Sequence, residues 1–272
     1  MTLHLKTDYS SSIPLEVEGI TPNNTRGKSL AEIERLTVFH GNAKAALADF
    51  FAVSGDASDA RIEWAGELSR VHWIGAGMTD GTMRVDGSAG RHVGSRMEGG
   101  HIEVLGDVSD WVGAEMLGGL IHVHGDAGHL VGGAYRGSRR GVTGGTILVH
   151  GRAGNEIGHA MRRGFIAIGG DIGDLAGMNM LAGSLFVFGD CGIRHGAGMR
   201  RGTIAMLGAT RFNPLPTFRK ACRCTLEVMR LVERFLRAHQ FPCPFSLSDL
   251  TLELYNGDLL EGGRGELMLR AG

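Results

Sequence analysis

The chain has 272 residues, of which 28 are Lys or Arg and 29 are Asp or Glu, so its formal net charge is −1. This balance argues against a nucleic-acid-binding protein, and no apolar run is long enough for a membrane span. Four cysteines do not form a dense disulfide framework, and the polar residues 1–12 do not resemble a signal peptide. We therefore expect a cytoplasmic protein. The 45 glycines, set against 6 prolines, indicate repeated tight bends.

Residues 1–48 differ from the rest of the chain and are predicted to form an N-terminal capping segment. Leu3–Lys6 alternates and is predicted as an edge strand. Ser29 and Glu32 have the spacing of a capping box, which predicts a short helix over Ser29–Arg35. A segment of this kind would protect the first strands of a stacked array, whose exposed edges would otherwise aggregate.

A strict repeat occupies residues 81–208. Its segments read Gly-x-apolar-x-apolar-x-Gly, and they start nineteen residues apart except for one step that is seven residues longer. Each alternating segment predicts a strand of about five residues, and about nineteen residues are too few for a strand plus a full helix. The segments start at Gly81, Gly100, Gly119, Gly145, Gly164, Gly183 and Gly202.

The repeat predicts an all-β fold, a single-stranded parallel β-helix with nineteen-residue coils stacked about 4.8 Å apart. We expect right-handed coils, since parallel crossovers are almost always right-handed. Two irregular coils near Phe51 and Ile62 extend the β-helix to residues 49–210. Glycines at the bends allow positive φ and close approach of neighbouring coils. A methionine at one coil position is expected to fill the core rather than bind a metal (Met97, Met116, Met161, Met180, Met199).

Residues 211–272 are predicted to form a C-terminal extension of helix and strand. Apolar residues recur every three or four positions, which predicts a helix over Thr217–Gln240. Leu252–Tyr255 is predicted as a strand. The apolar stripe consists of Phe218, Cys222, Leu226, Met229, Val232 and Leu236.

Arginines cluster at the ends of several coils and on the insertion within Arg136–Gly144, which adds seven residues to one coil. These positions are predicted to fall on one corner of the stack, where guanidinium groups pair bidentately with carboxylates. We expect this corner to bind an anionic cofactor tail or a partner's anionic surface, although a simply solvated corner is the alternative. The residues are Arg136, Arg139, Arg140, Arg162, Arg163, Arg200 and Arg201.

Other polar patterns are assigned no metal and no catalytic role. Cys222 and Cys224 would point in different directions on the predicted helix, and no second cysteine pair has finger-like spacing. His124 and His150 share one coil position beside His122. They could bind a divalent ion, but the preferred interpretation is an outward, solvated ladder. Aspartates after one bend are expected to bond their own loops (Asp107, Asp126, Asp171, Asp190).

The repeat and both flanks together resemble the C subunits of formylmethanofuran dehydrogenase and of the bacterial formyltransferase/hydrolase complex. The resemblance covers nearly the whole chain. The segments outside the repeat that carry it are Ile13-Pro14-Leu15-Glu16, Gly27–Ile33, His40-Gly41-Asn42, Gly257-Asp258 and Gly262-Gly263-Arg264-Gly265-Glu266. The helix predicted over Thr217–Gln240 has no counterpart that we can place in that family.

The resemblance implies a non-catalytic component of a cytoplasmic hetero-oligomer with sister subunits A, B and D. Such complexes convert formyl-tetrahydromethanopterin to formate through a formylated methanofuran-type carrier, and their metal ions are held by sister subunits. The resemblance implies no catalytic residue and no cofactor in this chain itself, beyond contact with the carrier's anionic tail.

Two alternatives remain at this stage. The glycine repeat is also similar to the C-terminal domain of the glutamate synthase large subunit, which would make the chain a module of an ammonia-assimilating enzyme. A solitary enzyme acting on polysaccharide would need a groove with two carboxylates at fixed spacing, and the sequence shows no such pair.

Overall fold

The computed structural model describes residues 2–210 and 212–271, and this part of the chain is mostly β. The strands are β1 (Leu3–Thr7), β2 (Leu15–Glu16), β3 (Thr37–His40), β4 (Ala43–Ala46), β5 (Ala52–Ser54), β6 (Arg61–Gly66), β7 (Val71–His72), β8 (Thr82–Asp86), β9 (His101–Val104), β10 (Leu120–Val123), β11 (Thr146–Val149), β12 (Phe165–Ile168), β13 (Ser184–Val187), β14 (Arg201–Met206), β15 (Arg219–Cys224), β16 (Leu252–Gly257) and β17 (Arg264–Arg270). The helices are α1 (Pro22–Thr25), α2 (Leu30–Glu34) and α3 (Val228–Ala238), with short 3₁₀ turns at Leu47–Asp49 and Leu259–Glu261.

A 13-stranded sheet dominates the described residues, with the order β15-β16-β17-β14-β13-β12-β11-β10-β9-β8-β6-β1-β5. The strands from β1 to β17 in this order are parallel, and β5, β16 and β15 are antiparallel additions at the two ends. Each repeat adds one strand in constant register, so that Ile121 faces Ile102 on one side and Ile147 on the other. A second sheet, β4-β3-β2-β7, lies in the N-terminal part.

The core is made of equivalent residues from successive repeats. Ile102 and Ile121 are fully buried, as are Val104 and Val123 two residues later in their strands. The methionines Met97, Met116, Met161, Met180 and Met199 are fully buried in the same core, which confirms their predicted packing role. Burying a side chain of this size contributes about 1.5–3 kcal/mol relative to an exposed position.

Glycine serves two purposes between neighbouring repeats, as predicted. A Cβ on Gly106 would lie 2.6 Å from backbone atoms of Gly87 and Ser88, so only glycine permits the observed approach. Gly100 adopts φ +87°, and a Cβ there would lie 2.4 Å from Cε of Met78. Non-glycine residues also occupy left-handed backbone positions at the bends, an outcome that the sequence did not indicate (Trp73, His92, Arg96, Trp111, Glu115).

The aspartates bond differently from expectation. Oδ1 of Asp107 accepts a hydrogen bond of 2.8 Å from the backbone N–H of Asp126 in the next repeat. Oδ1 of Asp171 accepts one of 2.7 Å from the backbone N–H of Asp190. The prediction that these side chains bond their own loops is therefore wrong, because stacking brings the next repeat's amide within reach.

The N-terminal segment is partly as predicted. Helix α2 forms with the backbone N–H of Ser29 donating to Glu32 at 2.8 Å, which confirms the capping interaction. Strand β1 is not an edge strand, because it pairs with β6 on one side and β5 on the other. Leu3 and Leu5 of this strand are also fully buried in the core.

The helix predicted over Thr217–Gln240 is wrong in its first half. Residues Arg219–Cys224 form β15, which pairs antiparallel with β16, and the helix spans only Val228–Ala238. Phe218 belongs to the core of the stack, whereas Met229 and Leu236 pack elsewhere. The helical spacing of apolar residues in the sequence therefore spans two different elements, β15 and α3. Pairing with β16 at the end of the sheet overrides the local helix propensity of residues 219–224.

The C-terminal extension continues the array and covers part of its outer surface. Strand β17 pairs parallel with β14 and so adds a strand after the last repeat. Helix α3 and the segment after it bury Met229, Leu236 and Phe241 against apolar side chains on the outer face of β11–β14. The covered side chains are Leu148, Ala167, Phe186 and Ala205. Helix α3 has 11 residues, and no helix among the described residues combines the length and apolarity needed to cross a bilayer.

Hydrogen bonds to Glu233 connect α3 to the loop around Leu247 that follows it. Its side chain is only 9% exposed, and it accepts hydrogen bonds from the backbone N–H of Leu247 at 2.9 Å and of Ser248 at 3.1 Å. Arg237 also donates to it at 2.6 Å. Burial acts to raise the pKa of Glu233, but the hydrogen bonds from Ser248, Arg237 and Leu247 outweigh it, and the pKa lies below its usual value.

We predict that Glu233→Ala lowers the free energy of unfolding by about 2–4 kcal/mol, because it leaves the buried N–H of Leu247 and the part-buried N–H of Ser248 without an acceptor. Chemical denaturation followed by circular dichroism measures this change. Glu227→Ala is the matched control, since Glu227 directly precedes the same helix and its side chain is 87% exposed. Equal losses in the two variants would contradict the assignment.

Candidate anion-binding groove

The predicted arginines lie where the repeats end. In Met161-Arg162-Arg163-Gly164 the methionine is buried and the glycine forms the next bend with φ +95°. Both arginines between them are exposed. Arg200 and Arg201 occupy the equivalent positions two repeats later, at a distance of about 10 Å if each repeat adds about 4.8 Å. Leu181 and Ala182 fill the same positions in the repeat between the two pairs.

These residues line an open groove of about 1050 Å³. Five of the seven predicted arginines belong to its lining: Arg140, Arg162, Arg163, Arg200 and Arg201. Arg136 and Arg139 do not line it and are exposed elsewhere on the insertion. The seven-residue insertion therefore contributes one arginine to the groove rather than three.

Two further arginines line the groove without having been predicted. Arg264 belongs to β17 and stands in register with Arg201, so it continues the arginine positions by one further strand. Arg96 lies at a bend two repeats before the insertion, has a left-handed backbone with φ 56°, and also lines the groove. The position of Arg96 in the repeat was visible in the sequence, but the parallel pairing that places Arg264 beside Arg201 was not.

The groove has a strong positive charge that the described residues neutralise only in part. Its lining contains seven arginines against Glu98 and Glu115, a formal charge of +5. Arg96 pairs with Glu115 at 3.1 Å and Arg200 with Glu261 at 2.8 Å. The other five arginines of the lining form no ion pair within residues 2–210 and 212–271. They are Arg140, Arg162, Arg163, Arg201 and Arg264. An unpaired cluster of this kind favours an anion with several carboxylate or phosphate groups.

An aromatic cluster supports the bend that presents Arg96. The rings of Trp73 and His92 stack with centroids 4.1 Å apart, and those of Trp111 and Tyr135 stack at 4.9 Å. The guanidinium of Arg96 lies 5.4 Å from the Tyr135 centroid. Trp73, His92 and Trp111 occupy one position in three successive repeats, so the sequence already carried a signal for this cluster.

Hydrogen bonds hold this cluster in one arrangement. The hydroxyl of Tyr135 lies 2.9 Å from Nδ1 of His92 and donates to Oγ of the buried Ser95 at 2.8 Å. Burial, together with nearby His72 and Arg91, lowers the pKa of His92 to about 4, so its imidazole is neutral at neutral pH. The single hydroxyl proton of Tyr135 goes to Ser95, so Nδ1 of the neutral His92 ring carries a proton and donates it to the Tyr135 oxygen.

We predict that Tyr135→Phe lowers the free energy of unfolding by about 1 kcal/mol, because it removes the partner of a buried hydroxyl and of a half-buried imidazole. Thermal and chemical denaturation measure the loss. Tyr255→Phe is the control, since the Tyr255 hydroxyl makes a long contact of 3.4 Å with Glu253. A loss in the control as large as in Tyr135→Phe would refute the network's contribution.

The histidines and cysteines also differ from expectation. The predicted ladder residues His124 and His150 are half-buried rather than fully solvated, and the adjoining His122 is only 6% exposed. Cys222 and Cys224 lie on a strand rather than a helix, and their sulfurs approach to 3.9 Å. All four cysteines are free.

Among the described residues, one group of three or more His, Cys, Asp or Glu side chains is close enough to share a metal ion. It consists of His122, His124 and His150.

Comparisons with known proteins decide between the two families that the repeat resembles. The chain is 51% identical over 270 residues to the C subunit of the formyltransferase/hydrolase complex Fhc of Methylorubrum extorquens, covering 99% of both chains. The chain belongs to the family of C subunits of the formyltransferase/hydrolase and formylmethanofuran dehydrogenase complexes. This whole-chain match favours that family over the glutamate synthase alternative.

Further similarities agree with this family. The C subunit of the molybdenum-containing formylmethanofuran dehydrogenase 1 of Methanothermobacter marburgensis is 44% identical over 90 residues, which are 33% of this chain and 22% of that protein. This chain thus matches well under two thirds of that relative's length. A crystal structure of the formyltransferase/hydrolase complex FhcABCD from Methylorubrum extorquens with methylofuran contains a chain that superposes with a TM-score of 0.90. It is 31% identical and covers 99% of this chain and 100% of its own. No protein-family model matches the chain.

Proposed function

We propose that this chain is a non-catalytic component of a formyltransferase/hydrolase complex, assembled with sister subunits A, B and D. The complex would convert formyl-tetrahydromethanopterin to formate through a formylated methanofuran-type carrier. The observation that supports this function best is the groove of seven arginines on a chain that matches a relative from such a complex over its full length. Transfer and hydrolysis are assigned to the sister subunits, which would also hold the complex's metal ions.

The groove's part in this function is to hold the anionic tail of the carrier. Exposed guanidinium groups bind carboxylates bidentately and keep a flexible chain near the surface without fixing its reactive end. A carrier tethered in this way reaches both active sites at a high effective concentration. The anionic surface of a partner protein in the complex is the alternative occupant of the same groove.

The architecture proposed for this role is a right-handed, single-stranded parallel β-helix over residues 49–210, with a cap at 1–48 and an extension at 211–272. Isolated parallel bridges link equivalent residues outside the main strands, such as Ala89 with Val108 and Ile172 with Cys191, and support a second line of pairing in each coil. A stack hydrogen-bonded along its length is stiff, and stiffness is what a spacer between two active sites requires.

We expect the purified chain alone to catalyse neither formyl transfer nor formyl hydrolysis, whereas the assembled complex catalyses both. The measurement is formate release from formyl-tetrahydromethanopterin, with the complete complex as the positive control. Either activity in the isolated chain, at a rate comparable with that of the complex, would refute the non-catalytic assignment.

We predict that Arg162→Glu combined with Arg201→Glu weakens binding of a penta-glutamate peptide to the assembled complex at least tenfold at low salt. Each substitution replaces an attractive charge in the groove with a repulsive one. Fluorescence anisotropy of the labelled peptide measures the affinity, and added salt should weaken binding to the unsubstituted complex because exposed charges are screened.

The matched control for this experiment is Arg136→Glu combined with Arg139→Glu. It changes the net charge by the same amount at exposed positions outside the groove lining. Equal loss in both double variants would show a general charge effect and would refute a site in the groove. Loss of complex assembly only in the groove variant would instead assign the groove to a partner surface.

A further inference from the structure

Three histidines meet on the outer face of the sheet, away from the arginine groove. His122 is in β10, His124 directly follows β10, and His150 directly follows β11. They alternate with the buried residues Val123 and Val149, so their side chains stand on the opposite face of the strands. The ring centroids of the three imidazoles lie 4.6, 4.7 and 4.6 Å apart, which makes a nearly equilateral triangle.

The ring nitrogens of this triangle converge. One nitrogen from each of the three histidines lies within 4.8 Å of the others, and Nε2 of His122 is 2.6 Å from Nε2 of His150. In a tetrahedral zinc site with bonds of about 2.0–2.1 Å, neighbouring ligand nitrogens are about 3.3 Å apart. The close pair therefore needs to separate by only about 0.7 Å, which small rotations of the two side chains provide.

From this convergence we propose that His122, His124 and His150 form a binding site for a divalent transition-metal ion, with Zn²⁺ as the ion of best fit. Three imidazole ligands with a free fourth position are a recurrent zinc set, and imidazole also suits Ni²⁺, Co²⁺ and Cu²⁺. The proposal concerns a part of the surface separate from the groove and does not depend on the proposed function.

The backbone of the sheet holds the ligands in place. The backbone N–H of His124 donates to Val104 at 2.9 Å, and that of His150 donates to Val123 at 2.9 Å. The two residues are equivalent positions of successive repeats, so parallel pairing fixes their separation. The Phe241 ring meets the His150 ring edge-on at 5.6 Å and limits its rotation from one side. A site of this kind requires little ordering of the chain when the ion binds.

A carboxylate adjoins the triangle. Oε1 of Glu103 lies 3.1 Å from Nε2 of His124, and Glu103 is itself held by Arg84 at 2.8 Å. Metal-binding histidines commonly donate their second ring N–H to a carboxylate, which orients the ring and increases its basicity. Glu103 is the positioning residue of the site, and His124 then binds the ion through its other nitrogen.

The exposure of the cluster fits metal binding. The His124 side chain is 29% exposed, which leaves an approach for the ion from solvent.

The test is titration of Zn²⁺ into the full-length chain after treatment with a chelator, followed by calorimetry. We expect one ion per chain, and we expect His124→Ala and His150→Gln each to weaken binding at least 100-fold. Glu103→Gln should weaken it by about 10–100-fold. Co²⁺ in place of Zn²⁺ should show the intense visible absorption of a tetrahedral site, which both histidine variants should lose.

His4→Ala is the matched control, because His4 is an exposed histidine on β1 that pairs with Glu63 and lies outside the cluster. Thermal melting without metal checks that each variant is folded, and His124, which is partly exposed, is the substitution least expected to disturb the sheet. Absence of Zn²⁺ binding by the unsubstituted chain, or equal binding by the folded His124→Ala and His4→Ala variants, would overturn the proposal.

Discussion

Close backbone approach between equivalent positions of successive repeats is the constraint on which the rest of the structure depends. Amides of one repeat donate to carbonyls of the preceding repeat, as His124 N–H does to Val104 and His150 N–H to Val123. Where the chains come nearest, a Cβ has no space, as at Gly106. Equivalent residues are thereby placed side by side at a constant interval. A residue type that recurs at one position of the repeat therefore forms a row, either in the core or on the surface.

Each row then has a chemical character of its own. The row of methionines is buried and contributes to stability, and the aromatic cluster around Tyr135 supports a bend. The arginines at the repeat ends create a positive groove that nearby glutamates neutralise only in part. A like-charged groove costs stability through self-repulsion. Its presence on a chain that matches a formyltransferase/hydrolase component over its full length is why we propose that it binds an anionic carrier or partner.

The C-terminal extension departs from this regularity and changes two surfaces. Strand β17 adds Arg264 to the groove, while α3 and Phe241 cover the outer face beside His150. Both contributions come from residues far along the chain from the positions they adjoin. The extension therefore completes the groove at one place and borders the histidine triangle at another.

The sequence by itself determined the parallel array, its register and the core positions, because a strict repeat forces equivalent residues into equivalent environments. It also identified Arg162, Arg163, Arg200 and Arg201 as one surface, since their positions in the repeat are the same. Tertiary structure alone decided that residues 219–224 pair as a strand, that Arg264 joins the groove, and that His122 lies buried against His150. The first two outcomes depend on segments outside the repeat, where propensity is weak and the folded sheet sets the pairing partners. The third depends on how side chains of two adjacent repeats pack on the outer face, where Phe241 of the C-terminal extension also contacts His150.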